Sequence, residues 1–444
     1  VADLYSRLKH LQEQKARRPG AGTADPAAGP VGDHPAVREL APGPGWRRIA
    51  PGVFERSDTL SLEVPLDWSR VSPLVGSVAG TRPFFLDVET SARSGGAGSL
   101  AFLIGVGQLV VGERGCDDCG EHATAVRVTQ LFLSEPASEP AQLQRLAEIV
   151  GEPADACYVT YNGGSFDLPV LRTRHILNRM TFPDGRHWDL LHLTRRLYAP
   201  VIGSCTLGRV ESRVLGRRRE ADVPGSEVPD RYQEFVRDGD VARIADVVAH
   251  HFYDIAHLAE LAAVLNAHVS GTGRPGRIPP DQVALARFLV QRGGGDQYRR
   301  AAGLLDGVIA ETAERLRGAR AAARRSGLAG RLQRRVPQQW AVCRELRAVI
   351  ARRRREWEVL LHLRRELWQE RGSRHDAVEY AKVLEHRMGA YDEALAVIDA
   401  CLEQPNEDGG TNRATPAPPG VTDERLEYRR QRLLRKRDQS TGRR

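Results

Sequence analysis

Lysine is nearly absent from this 444-residue chain: of its 65 basic residues, only Lys9, Lys15, Lys382 and Lys436 are not arginine. With glycine and alanine abundant, that bias has the mark of a GC-rich genome, so richness in arginine by itself says little about phosphate recognition. Cysteine is scarce as well, six scattered residues, which excludes a disulfide-stapled scaffold and suits a reducing compartment. No apolar run approaches the roughly 20 residues a bilayer-spanning helix needs, and no apolar signal core opens the sequence. The expectation is a cytoplasmic protein with no membrane span. Ordinary apolar and charged fractions over this length fit two or three globular domains, each with its own core.

The net charge of +8 is unevenly spread. Residues 425–444 carry +7 and residues 315–371 carry +12, which leaves −11 on the remainder. An acidic front and a basic, helical back suit a metal-dependent enzyme that also holds a polyanion.

Composition divides the chain into five parts. Residues 1–80 hold a short amphipathic helix (Leu4, Leu8, Leu11), a Gly/Pro/Ala linker over 19–45, and a small strand-rich lead-in around 46–66. Residues 81–268 read as strands first, then strands alternating with helices, the pattern of an α/β or α+β domain. The last helix of that domain is expected from about Asp240 to His268. Residues 269–280 are a linker. Residues 281–403 have almost no strand character and form an all-α domain. Residues 404–444 are a linker and a basic tail. In the helical part, Gly389-Ala-Tyr391-Asp-Glu-Ala394-Leu395 with Ile398, Cys401 and Pro405 resembles the second half of a tetratricopeptide repeat, where small residues let paired helices pack closely.

The chemistry starts at Phe84-Phe85-Leu86-Asp87-Val88-Glu89-Thr90, a short apolar strand. Strand side chains alternate with period two, so Asp87 and Glu89 point the same way. Two carboxylates held side by side repel, and a fold that builds such a pair has use for a cation between them. A second motif is Tyr161-Asn162-Gly-Gly-Ser165-Phe166-Asp167-Leu-Pro-Val-Leu171: a strand end, a tight glycine turn, and Asp167 starting a helix, where an acid is favourable in any case. A third is His250-His251-Phe-Tyr-Asp254 within a helix, where His250 and Asp254, four apart, share a face.

Together these motifs resemble the DEDD superfamily of ribonuclease H-like 3′–5′ exonucleases, with Asp-x-Glu, then Asp, then Asp in the family's order and at its spacing. More narrowly the chain resembles YprB-type proteins, which join a ribonuclease H-like domain to tetratricopeptide repeats. Phe85 to Ser91, Phe102 to Gly105, residues 161–171, Asp222 to Pro229 and His250 to Asp254 carry the likeness. The resemblance implies an α/β ribonuclease H-like domain, a mixed five-stranded sheet flanked by helices, followed by an all-α domain of tetratricopeptide-like repeats. It implies phosphodiester hydrolysis in single-stranded DNA or RNA with two Mg²⁺ or Mn²⁺ ions. Asp87 would bridge both, Glu89 and Asp254 would complete the water-side ion's site, and Asp167 would hold the second ion. Hard divalent cations take carboxylate oxygens, which agrees with that set.

The superfamily places its general base just before the last Asp, a Tyr four residues before it in one branch and a His five before it in the other. Here His250 stands four before and Ala249 five before, so neither rule is met. His250 is the favoured base, because a near-neutral pKa suits proton abstraction, and His251 is the fallback. Thr90, Asn162, Ser165 and Phe166 are candidate nucleic-acid contacts, Phe166 by stacking on a base or else as core.

Two further stretches draw attention. Cys116, Cys119 and His122 have zinc-like spacing but no second Cys pair, so a loop with reducible thiols is the favoured reading. Arginines near Trp340, Trp357 and Trp368 suggest either a nucleic-acid groove or a solvated face over a helical core. The leading expectation is a 3′–5′ exonuclease whose helical repeats supply protein or substrate contacts. The alternatives are a weakly catalytic, nucleic-acid-binding or partner-recruiting scaffold, and a structure-selective endonuclease.

Overall fold

The computed structural model describes residues 42–71, 80–92, 98–111, 123–217, 223–273, 275–325, 338–403 and 421–441. The helix and most of the linker expected over 1–45, the Cys116/Cys119/His122 segment, Asp222 and the linker at 404–420 lie outside these residues. The chain divides into two compact units, residues 1–280 and 281–444.

The first unit is built on one mixed sheet. Its strands are β1 (Arg47–Ala50), β2 (Val53–Leu66), β3 (Arg82–Thr90), β4 (Ala101–Val111), β5 (Ala123–Leu133), β6 (Ala156–Thr160) and β7 (Arg186–Asp189). They lie in the order β1-β2-β5-β4-β3-β6-β7. β3, β4 and β5 form an antiparallel meander, and β6 and β7 add in parallel beyond β3. The architecture is the expected mixed sheet with helices, but it has seven strands rather than five. The lead-in supplies the other two: β2 pairs with β5 from Val53↔Leu133 to Leu66↔Ala123 and carries β1 on its outer edge.

The helices of this unit are α1 (Glu139–Val150), α2 (Asp167–Leu177), α3 (Leu190–Ile202), the short α4 (Leu207–Val210), α5 (Val228–Asp238) and α6 (Ala242–Ser270). Strand alternation sorts β3 between two environments. Phe84, Leu86 and Val88 enter a core with Leu143, Leu146 and Val150 of α1 and Leu168 and Leu171 of α2. Phe85, Asp87 and Glu89 take the other parity, on the side where α6 lies. α6 runs 29 residues without Gly or Pro and is buried at almost every position from Asp254 to Val269, as a core helix should be. It stops where Gly271, at φ +79°, returns its amide to the Ala267 carbonyl at 2.8 Å.

α6 approaches the sheet over a strip without side chains. A Cβ on Gly105 would lie 1.9 Å from Ile255 Cδ1 and 2.5 Å from His251 Cε1, and one on Gly107 would lie 3.0 Å from Ile255 Cγ2. Overpacking so tight a contact costs about 1–3 kcal/mol or more. Gly105→Ala is therefore expected to lower stability by at least that amount in a denaturant titration; a midpoint equal to wild type would contradict the packing described.

The second unit is all helical: α7 (Gln282–Arg292), α8 (Gly295–Arg325), α9 (Gln338–Arg354), α10 (Trp357–Arg371), α11 (Arg374–Val383), α12 (Tyr391–Leu402) and α13 (Asp423–Thr441). Consecutive helices pack on one another. The expected basic tail is in fact the helix α13, whose Leu426 and Leu433 are buried in a core with Ala377, Tyr380, Leu384, Ala394 and Ile398. Three of its cations converge on the buried Glu385 carboxylate, Arg429 and Lys436 at 2.8 Å and Arg432 at 2.9 Å. The tryptophans are likewise committed within the unit. Arg344 lies over Trp340 at 3.7 Å, Arg387 over Trp357 at 4.2 Å, and Trp368 stacks on Tyr380. Arg344 also pairs with Glu366, and Arg347 with Asp306 and Glu356. Arg344 and Arg347 are themselves buried, so these arginines join helices rather than line a solvated face. No described helix is long and apolar enough to cross a membrane.

Candidate metal centre

β3 presents Asp87 and Glu89, and α6 brings Asp254 to them. One carboxylate oxygen from each lies within 4.8 Å of the others, and no other such trio of His, Cys, Asp or Glu ligand atoms occurs among the described residues. Asp167, the first residue of α2, adjoins this trio without joining it. It is 4% exposed, its charge is felt at Glu89, and it hydrogen-bonds to the Val88 backbone. Residues from two strand positions and two helices thus converge from three separate stretches of sequence.

Two of the acids, Glu89 and Asp167, are held well above the ordinary carboxylate range. Burial, with Asp254 and Asp167 alongside, pushes Glu89 up to about 8. Burial pushes Asp167 up to about 7, backbone hydrogen bonds pull the other way, and the Asp189 charge adds to the rise. An all-carboxylate donor set under this strain fits a hard divalent cation.

The same shifts set a pH dependence for the metal-free protein. Both acids hold a proton more tightly folded than unfolded. The stability they confer is complete below the ordinary carboxylate range and is lost as pH rises through about 7 to 8. Metal-free protein is expected to melt at a lower temperature near pH 8.5 than near pH 5.5, and Mn²⁺ to recover the loss at the higher pH. Calorimetry that found no recovery with Mn²⁺ would count against a cation site.

The two adjacent histidines have different surroundings. His250 is 14% exposed, with Nε2 3.2 Å from Asp254 Oδ2. His251 is fully buried, its Nε2 3.1 Å from the Asp87 carbonyl and its Nδ1 3.0 Å from Gln130 Nε2. Burial pushes its pKa down to about 3. His251 was the fallback base, and its position corrects that expectation: both ring nitrogens face protein atoms.

The turn before α2 is tightly built. Asn162 adopts φ +69° and donates its amide to Asp189 Oδ1 at 2.8 Å, and the same oxygen caps α3 through the Leu191 amide. Gly163 donates to Thr160 Oγ1 at 3.1 Å, and that hydroxyl also meets His187 Nε2 at 2.9 Å. A Cβ on Gly163 would lie 2.5 Å from Thr160 Cβ, so only glycine fits. Asn162 and Ser165 are exposed and Phe166 half-buried, next to Asp167. Thr90 is placed differently from these candidates: it is buried, and its hydroxyl donates to the Ala92 carbonyl at 2.9 Å. Asp189, Thr160 and His187 were missed from sequence. Asp189 alone had a signal, an Asp at a strand end ahead of the apolar run Leu190-Leu191.

The model of the RNase_H superfamily matches residues 84–266, the span that holds all four acids. Those residues form a ribonuclease H-like domain. A Bacillus subtilis (strain 168) protein named "Uncharacterized protein YprB" is 30% identical to this chain over 217 residues. The match covers 48% of this chain and 49% of that protein, so the chain spans about half the length of the relative it matches. In the ribonuclease H-like domain the carboxylates sit at β3, α2 and α6, and the sheet extends past the matched span through β1 and β2.

Proposed function

We propose that the chain is a metal-dependent nuclease that hydrolyses phosphodiester bonds in single-stranded DNA or RNA, acting as a 3′–5′ exonuclease of the DEDD type. The observation that carries this reading is the convergence of Asp87, Glu89 and Asp254 within 4.8 Å inside a ribonuclease H-like domain. Asp167, buried beside them, completes the four-acid set. These four would hold one or two Mg²⁺ or Mn²⁺ ions. A divalent cation bound there supplies the charge that makes water a better nucleophile and offsets charge developing on the phosphate.

The remaining work falls to this chain's own groups. His250 is the proton acceptor. With its Nε2 directed at Asp254, the basic lone pair is on Nδ1, and the carboxylate both orients the ring and stabilises the imidazolium that forms. The Asn162–Phe166 turn is the substrate rim, with Asn162 and Ser165 as polar contacts to the strand and Phe166 as a stacking surface. The helical second unit, tetratricopeptide-like in its Tyr391 to Cys401 stretch, serves partner or substrate contacts. The reading places the protein in the cytoplasm.

The test uses single strands of DNA and of RNA, labelled at either end, with Mg²⁺ or Mn²⁺. The expected result is stepwise shortening from the 3′ end. Internal cuts in a circular strand would replace the exonuclease reading with an endonuclease one. No product from either nucleic acid with either ion would remove the enzyme reading.

A further inference from the structure

Asp87 and Asp254 belong to different elements, and something must fix how closely β3 and α6 approach. The strand register points to the device. Asp87 lies opposite Gly105, and Gly105 opposite Gln130, so the three form a row across β3, β4 and β5. The middle position has no side chain, and the ring of His251 from α6 fills it, its Cε1 only 2.5 Å from where a Gly105 Cβ would be. The imidazole therefore bridges Gln130 on one side and Asp87 on the other.

The direction of each hydrogen bond follows from one fixed point. Gln130 Nε2 is 2.9 Å from the Val248 carbonyl, which can only accept, so this end of the amide is the NH₂ group. The same nitrogen is 3.0 Å from His251 Nδ1, which must then accept and carries no proton. The imidazole proton is on Nε2, 3.1 Å from the Asp87 carbonyl and 3.7 Å from Asp87 Oδ2. No link in the chain Val248 – Gln130 – His251 – Asp87 can be reversed without setting donor against donor or acceptor against acceptor.

We infer that Gln130 and His251 are positioning residues: Gln130 locks His251 in its Nε2–H tautomer, and that N–H ties the Asp87 backbone to α6, setting the distance at which the β3 carboxylates meet Asp254. The inference deepens the cation-site reading of Asp87, Glu89 and Asp254 and rests on it. Residues that orient ligating side chains in this way typically change metal affinity by about 10–100-fold when removed. The relay also assigns the two histidines separate tasks, since His251 has no nitrogen to offer a reacting water while His250 is held by Asp254.

The test has two readouts, neither of them activity. Nitrogen-15 NMR of histidine-labelled, metal-free protein reports the tautomer directly. The expected result is Nε2–H for His251 in wild type and its loss in Gln130→Glu, which keeps the side chain's size but replaces the donor by an acceptor. Calorimetric titration with Mn²⁺ is expected to show affinity reduced about tenfold or more in Gln130→Glu and in Gln130→Leu. An Nδ1–H tautomer in wild type, or wild-type Mn²⁺ affinity in Gln130→Glu, overturns the relay. If Gln130→Leu fails to fold, the tautomer measurement and Gln130→Glu still decide. If wild type binds no Mn²⁺, the cation-site reading fails, while the tautomer still tests the hydrogen-bond chain by itself.

Discussion

Asp87→Asn is expected to fold normally and lose hydrolysis by about 10³-fold or more, the scale on which groups stabilising charge in a transition state act. Asparagine keeps the size and one carbonyl oxygen but removes the negative charge. The Asp87 side chain is 25% exposed, and it faces both Glu89 and Asp254. Removing its charge weakens cation binding and relieves crowding in the same site. That gives the variant a second signature: it should take up Mn²⁺ more weakly than wild type while its metal-free form stays folded. Lost activity with unchanged or raised metal-free stability separates a functional role from damage to the fold. An active variant would remove Asp87 from the site.

His250→Ala is expected to lower the hydrolysis rate by about 10²- to 10⁴-fold, with the fold and Mn²⁺ affinity largely kept. The loss should be smallest at high pH, where hydroxide in solution takes over from a positioned base. His250→Gln should resemble it, because an amide can meet Asp254 but cannot accept a proton at this pH. The prediction depends on geometry that separates adjacent residues. On a helix, neighbours are about 100° apart, so His250 meets Asp254 while His251 points into the sheet. A rate in His250→Ala equal to wild type would send the search for a proton acceptor elsewhere.

Local pattern was enough to recognise β3 and α6. Alternation from Phe84 to Glu89 gives the strand, and an Ala-rich stretch without Gly or Pro gives the helix. The carboxylates could be named because each lies at an element's end or on a helix face, where position in the motif carries the meaning. Asp167 opens α2, as an acid at a helix start is expected to, and is also buried with its charge felt at Glu89.

What was not legible depends on register between distant segments. β2 read as an isolated lead-in because its partner, β5, is about seventy residues away, and nothing in Val53 to Leu66 announces that pairing. Gln130 is unremarkable within its own strand, and its place in one row with Gly105 and Asp87 comes only from the register across the sheet. Asp189 acts on Asn162 across 27 residues. In the second unit Leu426 and Leu433, seven apart among the basic residues of 425–444, bury one face of α13 against helices distant in sequence.

Calorimetric titration of metal-free protein with Mn²⁺ near neutral pH tests most directly whether the carboxylates of β3, α2 and α6 form a cation site. Wild type is expected to bind Mn²⁺ and Asp87→Asn to lose at least the greater part of that binding. Equal binding by the two proteins, or none by wild type, would contradict it.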